Sequence, residues 1–220
     1  MKTASKLILS LSLGLFLSSC EGTTEETADG AATEETTEEA AGPSGKYTLD
    51  NTESKLMWEG NMLKVGGVSL YGHNGTIDFE KGMMTMENGK ITDGTFVVDM
   101  STITPTDDNY GEDNTPEKLV GHLSSPDFFA VDSFPTATFK VTGMEGNKIM
   151  GDMTIRGITH SETIEGVTME NMDGKVMAKG AMTLDRQKYE VAWENPAEDK
   201  VLSDDLDLEF NIVAMKDNAM

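Results

Sequence analysis

Basic charge, thiols and histidines are all scarce in this chain, and each scarcity argues against a class of function. Thirty-nine acidic side chains face 17 Lys and Arg, only two of which, Arg156 and Arg186, are arginines, so the formal net charge is −22. Phosphate backbones are held by clustered Lys and Arg, so nucleic acid is not the expected partner, and direct adhesion to anionic lipid headgroups is disfavoured for the same reason. A single cysteine, Cys20, forms no internal disulfide and no CxxC pair. The three histidines, His73, His122 and His160, are widely separated without metal-ligand spacing, and no HExxH, nucleophile-elbow or phosphate-cradling glycine pattern accompanies them. Neither a metal nor an enzyme cofactor is therefore expected.

The N-terminus carries an address. Lys2 and Lys6 precede an apolar stretch, Leu7 to Leu17, too short to span a bilayer. Leu17-Ser18-Ser19-Cys20 ends it and resembles the cleavage and lipidation signal of bacterial lipoproteins. The expectation is a signal peptide over residues 1–19, acylation of Cys20, and attachment to a membrane of the bacterial cell envelope. The expected place is the outer membrane, on its periplasmic side or at the cell surface, with the leaflet left open. Residues 20–45 hold eight acidic side chains, no basic one and no aromatic. Such a segment cannot bury enough apolar surface to offset its chain entropy, so it reads as a disordered acidic tether.

Residues 46–220 form one domain with fifteen basic and thirty-one acidic groups, a charge whose plain meaning is solubility. Leu56-Trp58, Ile77-Phe79, Phe96-Val98-Met100, Ala137-Phe139-Val141, Ile149-Met153-Ile155, Met182-Leu184 and Leu206-Leu208-Phe210-Ile212 place apolar residues at every second position, the period of half-buried strands. Turn signals at Asn88-Gly89, Gly146-Asn147 and Asp173-Gly174 connect them as hairpins. The pattern predicts an all-β, antiparallel barrel of about eight strands, with a sandwich as the structural alternative. One interruption lies between Ser101 and Ser133. Asn114-Thr115-Pro116-Glu117 reads as a helix start, and His122-Leu123 leads into Ser125-Pro126-Asp127-Phe128-Phe129, where Ser125 is a candidate cap of a short turn. This segment is expected to plug one end of the barrel or to move as its lid.

The pieces YTLDNTESKLMW from Tyr47, VVDMSTIT from Val97, the His122-Leu123 and Asp127-Phe128-Phe129 block, MTIRGITH from Met153, LDRQKYEV from Leu184 and LSDDLDLEFNIVA from Leu202 together resemble the YceI-like family. Its members are secreted bacterial proteins with a lipocalin-like barrel that bind polyisoprenoid lipids or quinone-type molecules. The resemblance spans about Lys46 to Ala214. Many members carry an Arg-Asp pair before the His-Leu, where this chain has Val120-Gly121, so that pair's role does not transfer.

The resemblance implies non-enzymatic binding, sequestration or transport of an isoprenoid lipid or prenyl quinone inside the barrel. Trp58, Phe79, Phe96, Val98, Phe139, Met153, Met182 and Phe210 are the candidate pocket wall. His122, Leu123, Phe128, Phe129 and Arg186 are candidates for the plug or pocket mouth. Composition alone reads the sixteen methionines as core filling, and an eight-strand barrel can be filled or hold one ligand. A filled barrel acting through protein partners therefore stays open, as do a homodimer and a metal-dependent hydrolase. The acidic groups Asp107, Asp108, Glu112 and Asp113, and the row Asp205, Asp207 and Glu209, read as solvated faces, with weak calcium binding the alternative.

Overall fold

A computed structural model describes residues 42–172, 174–194 and 199–217. The signal segment, Cys20 and the tether through residue 41 lie outside the described residues.

The period-two segments form strands β1 (Gly45–Leu49), β2 (Lys55–Lys64), β3 (Val68–Glu87), β4 (Lys90–Pro105), β5 (Thr136–Glu145), β6 (Lys148–Ile155), β7 (Ile158–Met172), β8 (Lys175–Asp185) and β9 (Lys200–Lys216). All pairings are antiparallel. β2 to β9 follow one another around a ring that closes through β9 and β2. β1 pairs with the same two strands as β2, with β3 and β9, farther along the ring wall. The two are thus one strand position interrupted at Asp50–Ser54, and the barrel has the eight positions expected. At the interruption the buried Ser54 hydroxyl donates to Val213 O and accepts from Val213 N (3.2 and 2.9 Å), supplying the bonds a ladder residue would make.

Turn chemistry sets the hairpins. Asn88 and Gly89 (φ 51° and 79°) join β3 to β4, and Arg156 and Gly157 (φ 52° and 73°) join β6 to β7, the paired left-handed geometry that matches strand twist. Large rings lie over glycines on neighbouring strands. A Cβ on Gly75 would meet Trp58 Cζ2 at 2.7 Å, and one on Gly151 would meet Phe139 Cζ at 2.4 Å.

The barrel has two unlike ends. Where the chain enters, Pro43 O accepts from Gly89 N and Ser44 Oγ from Asn88 N, so contact with the barrel begins slightly before residue 46. Tyr47, Met86, Val176 and Ala214 fill this end, each at most 1% exposed. The other end carries the connections 65–67 and 106–135 and residues 186–194. Here α1 (Pro116–Ser124) starts at Thr115, whose hydroxyl accepts from Lys118 N, with Pro116 in its first turn and Glu117 near its positive end. The capping expectation for Ser125 is not met by its side chain. The hydroxyl is buried without a partner among the described residues, and it is the Ser125 carbonyl that accepts from Phe128 N and Ala130 N. This turn, with Ala130 at φ 49°, buries Leu123, Phe128, Phe129 and Val131 over the barrel end.

Candidate functional site

The inward faces enclose a cavity of about 100 Å³ whose wall is almost wholly apolar. Of the expected wall residues, Phe79, Phe96, Val98, Phe139, Met153 and Phe210 border it. Met182 does not: it is buried in the barrel but away from this space. Trp58 borders a second, more polar space of about 240 Å³ at the plugged end. The two spaces share Ile77, Phe129, Leu206 and Leu208 as walls, so the apolar cavity and this vestibule adjoin at Phe129 of the plug. Together they sit near the lower end of ligand-site volumes, roughly 300 Å³ upward, and the methionines and leucines around them can repack.

All five residues expected at the mouth, His122, Leu123, Phe128, Phe129 and Arg186, line the vestibule. His122 packs edge-on against Phe128 (5.4 Å between centroids) and Trp193 (4.7 Å). Burial lowers its pKa, with Asp127 acting the other way, so the imidazole is neutral at pH 7. Its Nε2 and the indole Nε1 of Trp58 are buried polar atoms with no hydrogen-bond partner among the described residues.

Arg186 is 5% exposed and its guanidinium is fully engaged. Nε donates to Ser203 O (2.8 Å), Nη1 to Val191 O and to Trp193 O (3.2 Å), and Nη2 to Leu202 O (3.3 Å) and Asp204 Oδ1 (3.1 Å). Burial lowers its pKa, opposed by Asp204, Asp185 and Glu194, yet a guanidinium remains charged. It stitches the connection after β8 to the start of β9. Arg156 does similar work outside, donating from Nη1 to Phe128 O (2.8 Å) and to Glu190 O, which ties the plug to that connection.

Sequence reasoning missed the second imidazole of the vestibule. His73 Nδ1 lies 3.1 Å from Asp107 Oδ1, and its ring stacks on Tyr110 at 4.9 Å. Asp107 is not on a solvated face; it also accepts from Asn74 N, Asn109 N and Tyr110 OH. Burial pushes this carboxyl up, but those bonds together hold it below its ordinary value. Burial and the adjoining Asp107 push the Tyr110 hydroxyl up to about 12. The Asp107-x-Asn109 turn, in which a side-chain oxygen accepts from the amide two residues on, was the available signal. His160 stands apart, against Lys188 O and Tyr189. Among the described residues no three His, Cys, Asp or Glu side chains converge on a metal-sized site.

This architecture has relatives. The YceI-like domain matches residues 47–214. The chain belongs to the YceI-like family. A UPF0312 protein of Staphylococcus aureus (strain bovine RF122 / ET3-1) is 31% identical over 160 residues, covering 69% of this chain and 85% of the relative. Among solved structures, Burkholderia cenocepacia BcnA superposes with TM-score 0.57 at 19% identity, over 76% of this chain and 99% of that one. A polyisoprenoid binding domain from Saccharophagus degradans implicated in plant cell wall breakdown gives 0.55 at 14% identity, over 78% and 98%. Both structures share the barrel fold described above.

Proposed function

We propose that the protein binds, without catalysis, a long isoprenoid-type lipid or prenyl quinone, holding its chain in the barrel cavity and its head in the vestibule. The observation that carries this reading is the adjoining of an almost wholly apolar cavity and a more polar vestibule, which share Phe129 of the plug together with Ile77, Leu206 and Leu208. A prenyl chain gains on the order of 25 cal/mol for each Å² of apolar surface it removes from water, and it needs no polar contacts along its length. The polyisoprenoid-binding description of the Saccharophagus relative supports the same ligand class. The working place is the bacterial envelope, with Cys20 acylated and the protein sequestering or carrying lipid near the membrane that anchors it.

Every strand pairing of the barrel lies within Gly45–Lys216, so residues 42–220 form a self-contained test protein. Expressed in bacteria and measured by native mass spectrometry with organic extraction, it is expected to carry a stoichiometric prenyl lipid. An empty protein that also fails to take up added polyprenyl lipids overturns the reading in favour of a filled barrel acting through protein partners.

A further inference from the structure

We infer that the barrel docks on a membrane surface by its plugged end, through the tip of the β2–β3 hairpin and the start of β9, so that the vestibule faces the bilayer. The docking does not depend on which ligand the barrel holds. Among the described residues nine large hydrophobic side chains are exposed, and five of them, Val65, Val68, Leu70, Tyr71 and Val201, each at least 39% exposed, belong to this tip. The strand register makes them neighbours: Lys64 pairs with both Val68 and Lys200, and Leu63 pairs with Val201. The β3–β4 ladder ends at Gly75, so Val68 to Tyr71 project past it with β2 alone beside them. At the turn itself, Gly66 and Gly67 (φ 106° and 87°) have open space where a Cβ would stand. Single exposed apolar side chains are ordinary, whereas a cluster at one projecting tip marks an interaction site.

The chemistry of the tip fits a lipid surface. From Leu63 to Tyr71 and from Lys200 to Leu202 the chain carries two lysines and no carboxylate, although it is strongly acidic as a whole; Asp199 is the carboxylate next in sequence. The overall charge that disfavours adhesion to anionic headgroups is thus reversed locally. Lysine stems lie along apolar surface while their ammonium groups reach headgroup phosphates. Lys200 Nζ already stands over the Tyr71 ring, 5.9 Å from its centroid, and a tyrosine suits the boundary between headgroups and acyl chains. A second copy of this chain fits the patch less well, because a two-fold pairing would set Lys64 and Lys200 against their own counterparts.

The patch is also continuous with the vestibule, since Tyr71 and Leu202 border that space. A tip seated among headgroups therefore holds the mouth against a reservoir of lipid. An apolar molecule then passes between bilayer and barrel without exposing its chain to water, at a saving on the order of 25 cal/mol per Å² kept covered.

The test uses residues 42–220, which lack Cys20 and hence any acyl anchor or thiol. They are mixed with vesicles of phosphatidylethanolamine and phosphatidylglycerol, or of phosphatidylcholine alone. Val65→Cys and Met83→Cys each receive one environment-sensitive fluorophore; Met83 is as exposed as Val65 but pairs with β1 toward the closed end. The protein is expected to float with the vesicles, with a blue shift of the label at position 65 and none at position 83. Val65→Asp combined with Leu70→Asp should weaken flotation by roughly tenfold or more. Lys64→Gln and Lys200→Gln should each weaken it by about fivefold on the phosphatidylglycerol vesicles only. Val65 and Leu70 are exposed, so the doubly substituted protein should melt as its parent does, and the label readout stands without it. Absence of flotation, equal blue shifts at both labels, or binding that survives the paired Asp substitutions overturns the inference. A dimer in analytical ultracentrifugation that those substitutions break, in place of flotation, overturns it in favour of a second copy. Uptake of polyprenyl lipid from detergent, read on the same protein, tests the isoprenoid reading separately.

Discussion

Where the chain enters the barrel, tight turns at Asn88–Gly89 and Gly146–Asn147 leave little irregular backbone, and Tyr47, Met86, Val176 and Ala214 are each at most 1% exposed. At the opposite end residues of the connections 106–135 and 186–194 border a space of about 240 Å³. Long connections bring carbonyls that no ladder satisfies, and unsatisfied buried carbonyls are costly. The chain's only two arginines are both at this end, and both spend their donors on backbone carbonyls. The difference teaches that an open end needs polar scaffolding which a closed end does without. It also teaches that a cation at a pocket mouth can belong to the frame rather than to the ligand.

The comparison can be broken most severely at Arg186. Arg186→Met should remove the clamp from four carbonyls and lower stability by about 3–5 kcal/mol in urea unfolding. Next comes the contrast between filled and hollow interior. Met86→Ala, at the filled end, should cost about 3 kcal/mol. Phe96→Ala removes a larger side chain but one that borders the cavity and is only partly buried, so its loss should stay below the about 3–5 kcal/mol of a filled core. Equal losses from a matched urea series would erase the distinction. A smaller effect belongs to Thr115→Ala, which removes the α1 cap. It should cost about 0.5–1 kcal/mol, read as faster amide hydrogen exchange in α1 with the strands unchanged.

The subtlest effect is pH. Burial holds the His122 imidazole below its ordinary value of 6.5, so as pH falls the unfolded chain takes up this proton before the folded one. Stability from this group is therefore complete above about 6.5 and declines below it. Melting temperatures between pH 7 and 5 should fall less in His122→Phe than in the unsubstituted protein. Asp107, held below 3.8, gives up its contribution only in stronger acid, so the two windows separate.

Much of the frame was legible because strands announce themselves locally. Phe79, Phe139 and Met153 stand in alternating runs, and those runs fix which way each side chain faces. The helix start was legible from Thr115-Pro116-Glu117 for the same reason. Met182 shows the limit: alternation tells inside from outside but not which inside positions border a void. The polar mouth was less visible still. His73 and Asp107 are 34 positions apart and meet only because β3 pairs with β4, and Trp193 reaches His122 through an irregular connection with no period to read. For Arg186 the sequence favoured a structural role over a ligand clamp but could not name its partners, since these are mostly backbone carbonyls, which every residue carries.

Trp58 and Trp193 are the only two indoles in the chain, and both border the vestibule. The protein's tryptophan fluorescence is consequently the fluorescence of its mouth. With excitation selective for tryptophan, a ligand head, a displaced plug or an altered local polarity would register in emission wavelength and quenching, while rearrangements at the closed end, which holds Tyr47 but no indole, would stay dark. The molecule thus carries a built-in optical reporter at the place where occupancy is decided, and a titration can be followed without attaching any label.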